Sequence, residues 1–243
     1  MKGDPTMNTQ VKEIFERVKA SEKTVHIKLL GDSITHGVGG TGFEQNGAHI
    51  VENFYRSPYG YCWAKRFKEH MEAHYNCTVT NNACTGTKIE FVLEHFDELV
   101  DEKDDVVICT IGTNNRHRYF KDGPKPEREV FGEAFYQNVL KLHQRFKESG
   151  KDYVLIANIP ANAKNEVDGA DFWRVLHMDD IDGFYKKASS ACGFAFVSMY
   201  DLFSTYCAEH DVALDSLLCD GLHPNNDGYD VMFSLLAKEF GVV

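Results

Sequence analysis

Residues 24–35 read Thr24-Val25-His26-Ile27-Lys28-Leu29-Leu30-Gly31-Asp32-Ser33-Ile34-Thr35. The apolar residues Val25, Ile27 and Leu29 alternate with polar ones, which predicts a β-strand with at least one buried face. The strand ends at Gly31, a residue type that permits a sharp turn, so Ser33 follows directly after its carboxyl end. Open α/β sheets bind ligands at that edge. A serine there is a candidate nucleophile, provided that a base and an oxyanion site lie nearby.

Further strands are predicted along the chain at 77–81, 106–111, 153–156 and 194–199. The segment 106–111 is apolar nearly throughout, which is typical of a central parallel strand that is covered on both faces. Helical spacing predicts helices over 11–19, 60–75, 89–100, 127–148, 179–191, 201–210 and 229–240, and 162–172 is expected to be a loop. We expect helix 11–19 to pack on the domain edge.

The alternation of strands and helices from residue 25 onward predicts an α/β fold. The expected architecture is a three-layer α/β/α sandwich with a central, mostly parallel five-stranded sheet. No internal repeat or linker-like segment interrupts the pattern. Residues 1–243 are therefore expected to form one domain, in which 1–22 is an N-terminal extension with a short helix.

The composition excludes several classes of function. With a net charge of −11, the chain is not expected to bind nucleic acid or an anionic membrane, because phosphate attraction needs a basic face. No apolar run is long enough for stable membrane insertion, and the first residues lack the apolar segment of a signal peptide, which predicts a cytoplasmic location. The chain has seven cysteines, an odd number, and no two of them have C-x-x-C spacing. This pattern favours free thiols in a reducing compartment over disulfides, and it does not match the ligand spacing of a zinc site.

Two other strands end in polar turns. The strand 77–81 leads to Gly86, whose backbone N–H lacks a shielding side chain, and the strand 106–111 leads to Asn114, whose amide can donate hydrogen bonds. Both are groups that can stabilise an oxyanion, although Asn and Gly are also common turn residues. Because the carboxyl ends of parallel strands meet at one edge, Gly86 and Asn114 can converge with Ser33.

A base is offered by Asp220-Gly221-Leu222-His223-Pro224, which follows the last strand. The glycine lets the loop bend, so the carboxylate of Asp220 can reach one imidazole nitrogen of His223 and leave the other nitrogen free. Such a contact orients the ring and stabilises its protonated form. The loop can close over the same sheet edge as Ser33.

Together these blocks resemble the signatures of the GDSL esterase/lipase family, also called SGNH hydrolases. The matching blocks, in the family's order, are Gly31-Asp32-Ser33-Ile34, Asn81-Asn82-Ala83-Cys84-Thr85-Gly86, Gly112-Thr113-Asn114-Asn115 and Asp220-Gly221-Leu222-His223-Pro224. The resemblance spans residues 25 to about 240 and implies a flavodoxin-like SGNH hydrolase fold. One departure is Asn115, where many members have Asp, so the support of the preceding oxyanion residue can differ.

The resemblance implies a serine esterase that works through an acyl-enzyme without metal or organic cofactor. Ser33 would be the nucleophile, His223 the base and Asp220 its orienting group, with Ser33, Gly86 and Asn114 as the oxyanion hole. The implied partner is a small-molecule ester. A short acyl group such as acetyl, on a carbohydrate or another small polar alcohol, is favoured. The alternatives are a lysophospholipase or thioesterase for longer acyl chains, and a non-catalytic binding domain on the same fold.

Three further features have competing interpretations. The basic cluster that begins at Arg116 could bind a carboxylate or phosphate on the substrate, or it could simply face solvent. Residues Asp179, Asp180 and Asp182 resemble a metal cluster but are better explained as acids at a helix N-terminus, so no metal site is expected. The glycine- and aromatic-rich segment 36–61 could form a wall of the substrate pocket or a surface loop.

Overall fold

A computed structural model of the chain describes residues 5–43, 60–167 and 172–243. Its centre is a five-stranded parallel sheet, and a separate antiparallel ribbon has two strands. The strands are β1 (Val25–Gly31), β2 (Cys77–Asn81), β3 (Val106–Thr110), β4 (Arg118–Phe120), β5 (Asp152–Ala157), β6 (Phe172–Arg174) and β7 (Phe196–Ser198). The sheet order is β2-β1-β3-β5-β7, while β4 pairs with β6. The predicted parallel five-stranded sheet is confirmed.

Helices follow most strands. They are α1 (Pro5–Ala20), α2 (Ser33–His36), α3 (Trp63–His74), α4 (Ile89–Glu94), α5 (Phe96–Leu99), α6 (Arg128–Ser149), α7 (Ala163–Val167), α8 (Met178–Cys192), α9 (Met199–Glu209) and α10 (Asn226–Phe240). Short 3₁₀ turns lie at Thr113–Arg116 and Leu214–Leu217. No helix in the described ranges is long and apolar enough to cross a membrane.

The sheet separates two hydrophobic cores. Alternate residues of β3 point to opposite faces, so Ile108 belongs to one core and Val107 to the other. Helices α1, α3, α9 and α10 contribute to the first core, and α4, α5, α6 and α8 contribute to the second. This burial on both faces explains the apolar run from 106 to 111 and confirms the predicted three-layer α/β/α sandwich.

The first helix lies deeper than the sequence suggests. Phe15 is fully buried and its ring stacks on Phe240 at 4.2 Å between centroids. The apolar stripe of α1 thus packs into the same core as α10, rather than on the domain edge. The sequence pattern identified the stripe but could not identify its partner at the far end of the chain.

Two other segments differ from the sequence prediction. The helix expected over 89–100 is broken at His95 into α4 and α5. The loop expected over 162–172 contains α7, which begins where the side chain of Asn162 accepts a hydrogen bond from the N–H of Asn165 at 2.9 Å. The same segment leads into β6, whose partner β4 lies about 50 residues earlier, so local pattern could not reveal the pairing.

The strand ends are aligned at the carboxyl edge. In the parallel pairing of β1 with β3, Gly31 lies opposite Thr110. The residues that follow the two strands, including Ser33 and Asn114, therefore leave the sheet side by side. Elsewhere in the fold, all seven cysteines have free thiols, as their spacing predicted.

Candidate active site

Ser33 is the first residue of α2, directly after β1. Asp32 caps this short helix, because its side chain accepts a hydrogen bond from the N–H of Ile34 at 3.1 Å. The turn needs glycine at position 31, where a Cβ would lie 2.4 Å from Oγ1 of Thr110 and 2.7 Å from Oγ1 of Thr35. The strand and the cap together fix Ser33 at the carboxyl edge of the sheet.

The ring of His223 joins Ser33 to Asp220. Nε2 of His223 lies 2.8 Å from Oγ of Ser33, and Nδ1 lies 2.7 Å from Oδ2 of Asp220. A carboxylate on one ring nitrogen and a hydroxyl on the other is the arrangement that lets an imidazole take a proton from the hydroxyl. The structure therefore brings together the three residues expected to form the triad.

The loop that carries Asp220 and His223 is held by its own hydrogen bonds. Oδ1 of Asp220 accepts from the N–H of Leu222 at 3.0 Å and from the N–H of His223 at 2.8 Å. Gly221 has φ of +83°, and a Cβ there would lie 2.6 Å from the side chain of Asn162. Both facts explain the glycine between the two polar residues.

Asp220 is held in its ionised form. Its partial burial acts to raise the pKa of Asp220, but the hydrogen bonds from the backbone N–H and the ring of His223, together with the charge of that ring, outweigh it. The pKa of Asp220 therefore lies below its ordinary value. A carboxylate that keeps its charge can go on stabilising a protonated His223.

The two expected oxyanion residues lie on loops that contact each other and α2. The side-chain amide of Asn114 donates to the carbonyl of Thr87 at 2.9 Å, and its NH₂ group carries a second hydrogen. On the same loop, Oγ1 of Thr85 lies 3.0 Å from Nδ1 of His36 in α2. Gly86 is exposed with φ of +84°, and no atom lies within 4 Å of where its Cβ would be. The backbone of Gly86 is thus unshielded beside the helix of Ser33.

A buried polar group lies beneath Ser33, and sequence reasoning gave it no role. Asp32 is fully buried, and its Oδ2 accepts from the amide of Asn158 at 3.0 Å. The same amide donates to the hydroxyl of Thr113 at 2.8 Å. Burial raises the pKa of Asp32, against the lowering effect of its hydrogen bonds to Thr113 and Ile34. Asn158 follows the end of β5, so the strand-end argument applied to Asn114 could have found it.

The side chain of Arg116 is accessible neither to solvent nor to a ligand. Its side chain is fully buried, with Nη1 3.0 Å from a carboxylate oxygen of Glu166 and Nη2 3.1 Å from Oδ1 of Asn165. Its Nε donates to the carbonyl of Thr113 at 3.0 Å. Both interpretations of Arg116 were wrong, because its partners lie on α7, in a segment expected to be a loop.

The aspartates near the start of α8 follow the expected explanation only in part. Asp179 and Asp180 lie in the first turn, and Asp180 accepts from the backbone N–H of His177 at 2.7 Å. Asp182 is buried instead, accepting from the hydroxyl of Ser198 at 2.6 Å and pairing with Lys186. Ligand atoms of His177, Asp179 and Asp180 lie within 4.8 Å of one another, at a helix start where Asp179 is exposed and the other two are half-buried.

Most of the predicted loop 36–61 lies outside the described residues. The hypothesis that it forms a wall of the substrate pocket therefore also concerns residues outside the described ranges. Of its described ends, the ring of Phe43 meets the ring of His36 edge-on at 5.0 Å. The hydroxyl of Tyr61 bonds to the carboxylate of Asp230 on α10. Both ends are thus anchored to elements that flank Ser33 and His223.

Comparisons with known proteins identify a family and similar folds. The sequence model of the GDSL-like lipase/acylhydrolase family matches residues 29–231. No curated protein matches the chain by sequence.

Among solved structures, the fold is similar to Axe2, an acetylxylan esterase from Geobacillus stearothermophilus, with a TM-score of 0.66, 16% identity and coverage of 93% of this chain and 96% of that one. It is also similar to LAE5, an α/β hydrolase enzyme from the metagenome of Lake Arreo, Spain, with a TM-score of 0.66, 19% identity and coverage of 90% and 96%.

Proposed function

The chain belongs to the GDSL-like lipase/acylhydrolase family, and on that premise we propose that it is a serine esterase that removes a short acyl group, acetyl, from a carbohydrate or another small polar alcohol. Family membership makes it a carboxylic-ester hydrolase. The proposal concerns the mechanism and the substrate. The single observation that carries the mechanism is the chain of contacts from Oγ of Ser33 through His223 to Asp220, at 2.8 and 2.7 Å.

In the first half of the reaction, Oγ of Ser33 attacks the ester carbonyl while Nε2 of His223 takes the hydroxyl proton. The tetrahedral intermediate collapses, the bond to the alcohol oxygen breaks, and His223 returns the proton to that oxygen. The acyl group stays on Ser33. Asp220 stabilises the imidazolium that exists between these steps, and a lowered pKa suits it to that task.

In the second half, His223 takes a proton from water, and the hydroxide oxygen attacks the acyl-enzyme. The second intermediate collapses, the carboxylic acid leaves, and Oγ of Ser33 regains its proton from His223. The oxyanion of both intermediates would be held by the N–H groups of Ser33 and Gly86 and by the amide of Asn114. Removal of one such donor typically lowers turnover by about 10²- to 10³-fold.

The acetyl preference is supported by two observations. The fold is similar to that of an acetylxylan esterase, and the chain places aromatic and polar residues together in the segment after Ser33, which suits a sugar ring. A lysophospholipase or thioesterase would need room for a longer chain. A non-catalytic binding domain would have no need of a Ser33–His223–Asp220 contact chain.

The test is the initial rate of hydrolysis of p-nitrophenyl esters of increasing acyl length. Ser33→Ala serves as the inactive variant. Ser21→Ala is the matched control, because the Ser21 hydroxyl donates a local hydrogen bond to the carbonyl of Lys23 at 2.8 Å. The proposal predicts that acetyl is hydrolysed fastest and that Ser33→Ala loses at least about 10³-fold in turnover.

Faster hydrolysis of long chains would overturn the acetyl preference. Equal rates for the parent and Ser33→Ala on every ester would overturn the serine mechanism. Labelling by a serine-reactive phosphonate, lost only in Ser33→Ala, checks the nucleophile without any choice of ester.

A further inference from the structure

The small ribbon formed by β4 and β6 has two arginines directly opposite each other. Arg118 pairs with Arg174 in the antiparallel register, and Phe120 pairs with Phe172 at the other end. The guanidinium of Arg118 lies 4.3 Å from the centre of the Phe172 ring, and that of Arg174 lies 5.9 Å from it. Like charges directly across a strand pair are destabilising, so a bound anion would stabilise this placement.

Within the described ranges, neither Arg118 nor Arg174 has a carboxylate within salt-bridge distance. Glu166, an acid whose charge acts on Arg174, already forms a salt bridge with Arg116 at 3.0 Å. Nε of Arg174 is buried without a hydrogen-bond partner in the described part of the chain. Burial first, and then the charges of Arg116 and Arg118, lower the pKa of Arg174 to about 10. The charge of Glu166 acts in the opposite direction on the pKa of Arg174, but Glu166 is already paired with Arg116, so in the described ranges the two ribbon arginines have no carboxylate of their own.

The ribbon is joined to both sides of the candidate active site. On one side, β4 follows the turn of Asn114 directly, so the Cα of Arg118 lies at most about 14 Å from that of Asn114, because four residues span no more than this. On the other side, α7 precedes β6, and the N–H of Asn162 before α7 donates to the carbonyl of Gly221 at 2.9 Å. The ribbon is thus connected through short chain segments to the turn of Asn114 and to the loop of His223.

We propose that Arg118 and Arg174 bind an anionic group, a carboxylate or a phosphate, on the alcohol part of the ester substrate. The inference rests on the proposed function and deepens it, because it assigns the alcohol to acidic sugars or sugar phosphates. Planar guanidinium groups match the oxygens of both anions bidentately. The net charge of −11 disfavours a long polyanion as the ligand.

Sugar esters that carry a neutral hydroxymethyl, a carboxylate or a phosphate group at C6 test the proposal. Three acetyl esters are compared: acetylated methyl glucoside, acetylated methyl glucuronide and acetylated glucose 6-phosphate. For each protein, kcat/KM on the anionic ester is divided by kcat/KM on the neutral one. Arg118→Gln and Arg174→Gln should each lower this ratio about tenfold, chiefly through KM, as expected for loss of a charge-assisted hydrogen bond. The glucuronide and phosphate arms identify which anion is bound.

The control variant is Arg17→Gln. Arg17 is also an exposed arginine, but it pairs with Asp152 at the start of β5, on the opposite edge of the sheet. The ratio of kcat/KM on the anionic ester to kcat/KM on the neutral ester should be the same for Arg17→Gln as for the parent. An unchanged ratio in both ribbon variants would overturn the proposal and mean that carboxylates of the chain itself neutralise the arginines. Because Arg118 is exposed, Arg118→Gln decides the matter even if Arg174→Gln does not fold.

A binding measurement separates this proposal from the esterase proposal. Calorimetry of Ser33→Ala protein with methyl glucuronide or glucose 6-phosphate needs no turnover. If the parent hydrolyses no ester but Arg118→Gln weakens anion binding about tenfold, the proposed function fails and the anion site stands. If esters are hydrolysed and neither anion binds, the esterase proposal stands and the anion site falls.

Discussion

The side-chain amide of Asn115 donates a hydrogen bond to the carboxylate of Glu90 at 2.7 Å, while its carbonyl oxygen accepts from the N–H of Ile89 at 3.0 Å. Asn115 is buried, and it connects the turn of Asn114 to the start of α4. The second oxygen of Glu90 accepts from Asn138 on α6 at 3.0 Å. An aspartate at position 115 could still accept from Ile89 but could not donate to Glu90. Asn115, the residue that departs from the family pattern, therefore supplies the hydrogen-bond donor that the neighbouring carboxylate of Glu90 accepts.

Asn115→Asp should lower the free energy of unfolding by about 1–3 kcal/mol, because it places a buried carboxylate against that of Glu90 and removes the hydrogen bond between the two side chains. Turnover should fall too, since Asn114 is its neighbour on the turn. Urea denaturation and ester hydrolysis measure the two effects. Adding Glu90→Gln should restore much of the stability, because a glutamine amide can donate to the new aspartate. A double variant no more stable than the single one would show that Glu90 is not the cause.

Asp220→Asn should lower turnover by up to about 10⁴-fold, the scale seen when the triad carboxylate of a serine protease becomes an amide. The amide can offer an N–H to Nδ1 of His223, which favours the ring tautomer that cannot accept the Ser33 proton. KM should change little, because Asp220 contacts the base and not the proposed ester position.

The matched control for that change is Asp227→Asn. Asp227 is an exposed acid in the first turn of α10, so the variant alters net charge equally without touching His223. Equal losses in the two variants would point to a general charge effect. A normal rate in Asp220→Asn would remove Asp220 from the proposed triad.

The positions of Ser33 and Asn114 could be predicted because each depends on local information. A strand pattern shows where a strand ends, and parallel strands bring their ends to one edge. Arg116 could not be placed in this way. Its burial depends on Glu166, which lies 50 positions away on a helix too short to show a periodic pattern. The pairing of β4 with β6 could not be predicted from the sequence either. Each strand has three residues, which is too few for an alternating pattern to be detected.

Gly31→Ala should destabilise the fold by about 1–3 kcal/mol, the usual cost of overpacking. The added Cβ would overlap the hydroxyls of Thr110 and Thr35, which contact each other across the strand end. Either the strands separate or the turn carrying Ser33 shifts, so turnover should fall as well. Urea midpoints and ester hydrolysis test both effects.

Gly183→Ala provides the comparison. Gly183 lies inside α8, and no atom lies within 4 Å of where its Cβ would be. That substitution should stabilise the protein by about 0.5–1 kcal/mol, because alanine favours the helix. A Gly31→Ala protein as stable as Gly183→Ala would contradict the close approach at the end of β1.

Acidification should destabilise the protein through His36. This side chain is 1% exposed, with Nδ1 3.0 Å from Oγ1 of Thr85 on the Gly86 loop. Burial lowers the pKa of His36 from 6.5 to about 4. Between those values the unfolded chain binds the proton and the folded one does not, so stability is fully present above pH 6.5 and is lost as pH falls toward 4. The slope from this group cannot exceed about 1.4 kcal/mol per pH unit.

Urea midpoints between pH 7.5 and pH 4.5 should therefore fall more steeply for the parent than for His36→Asn, which cannot take up the proton. His210→Asn is the control, because His210 is exposed at the end of α9 and its removal should leave the parent's slope in place. Parallel curves for the parent and His36→Asn would show that the acid sensitivity arises elsewhere. A loss of ester hydrolysis on acidification that is smaller in His36→Asn than in the parent would connect the charging of His36 to the loop of Gly86, since Thr85 joins the two.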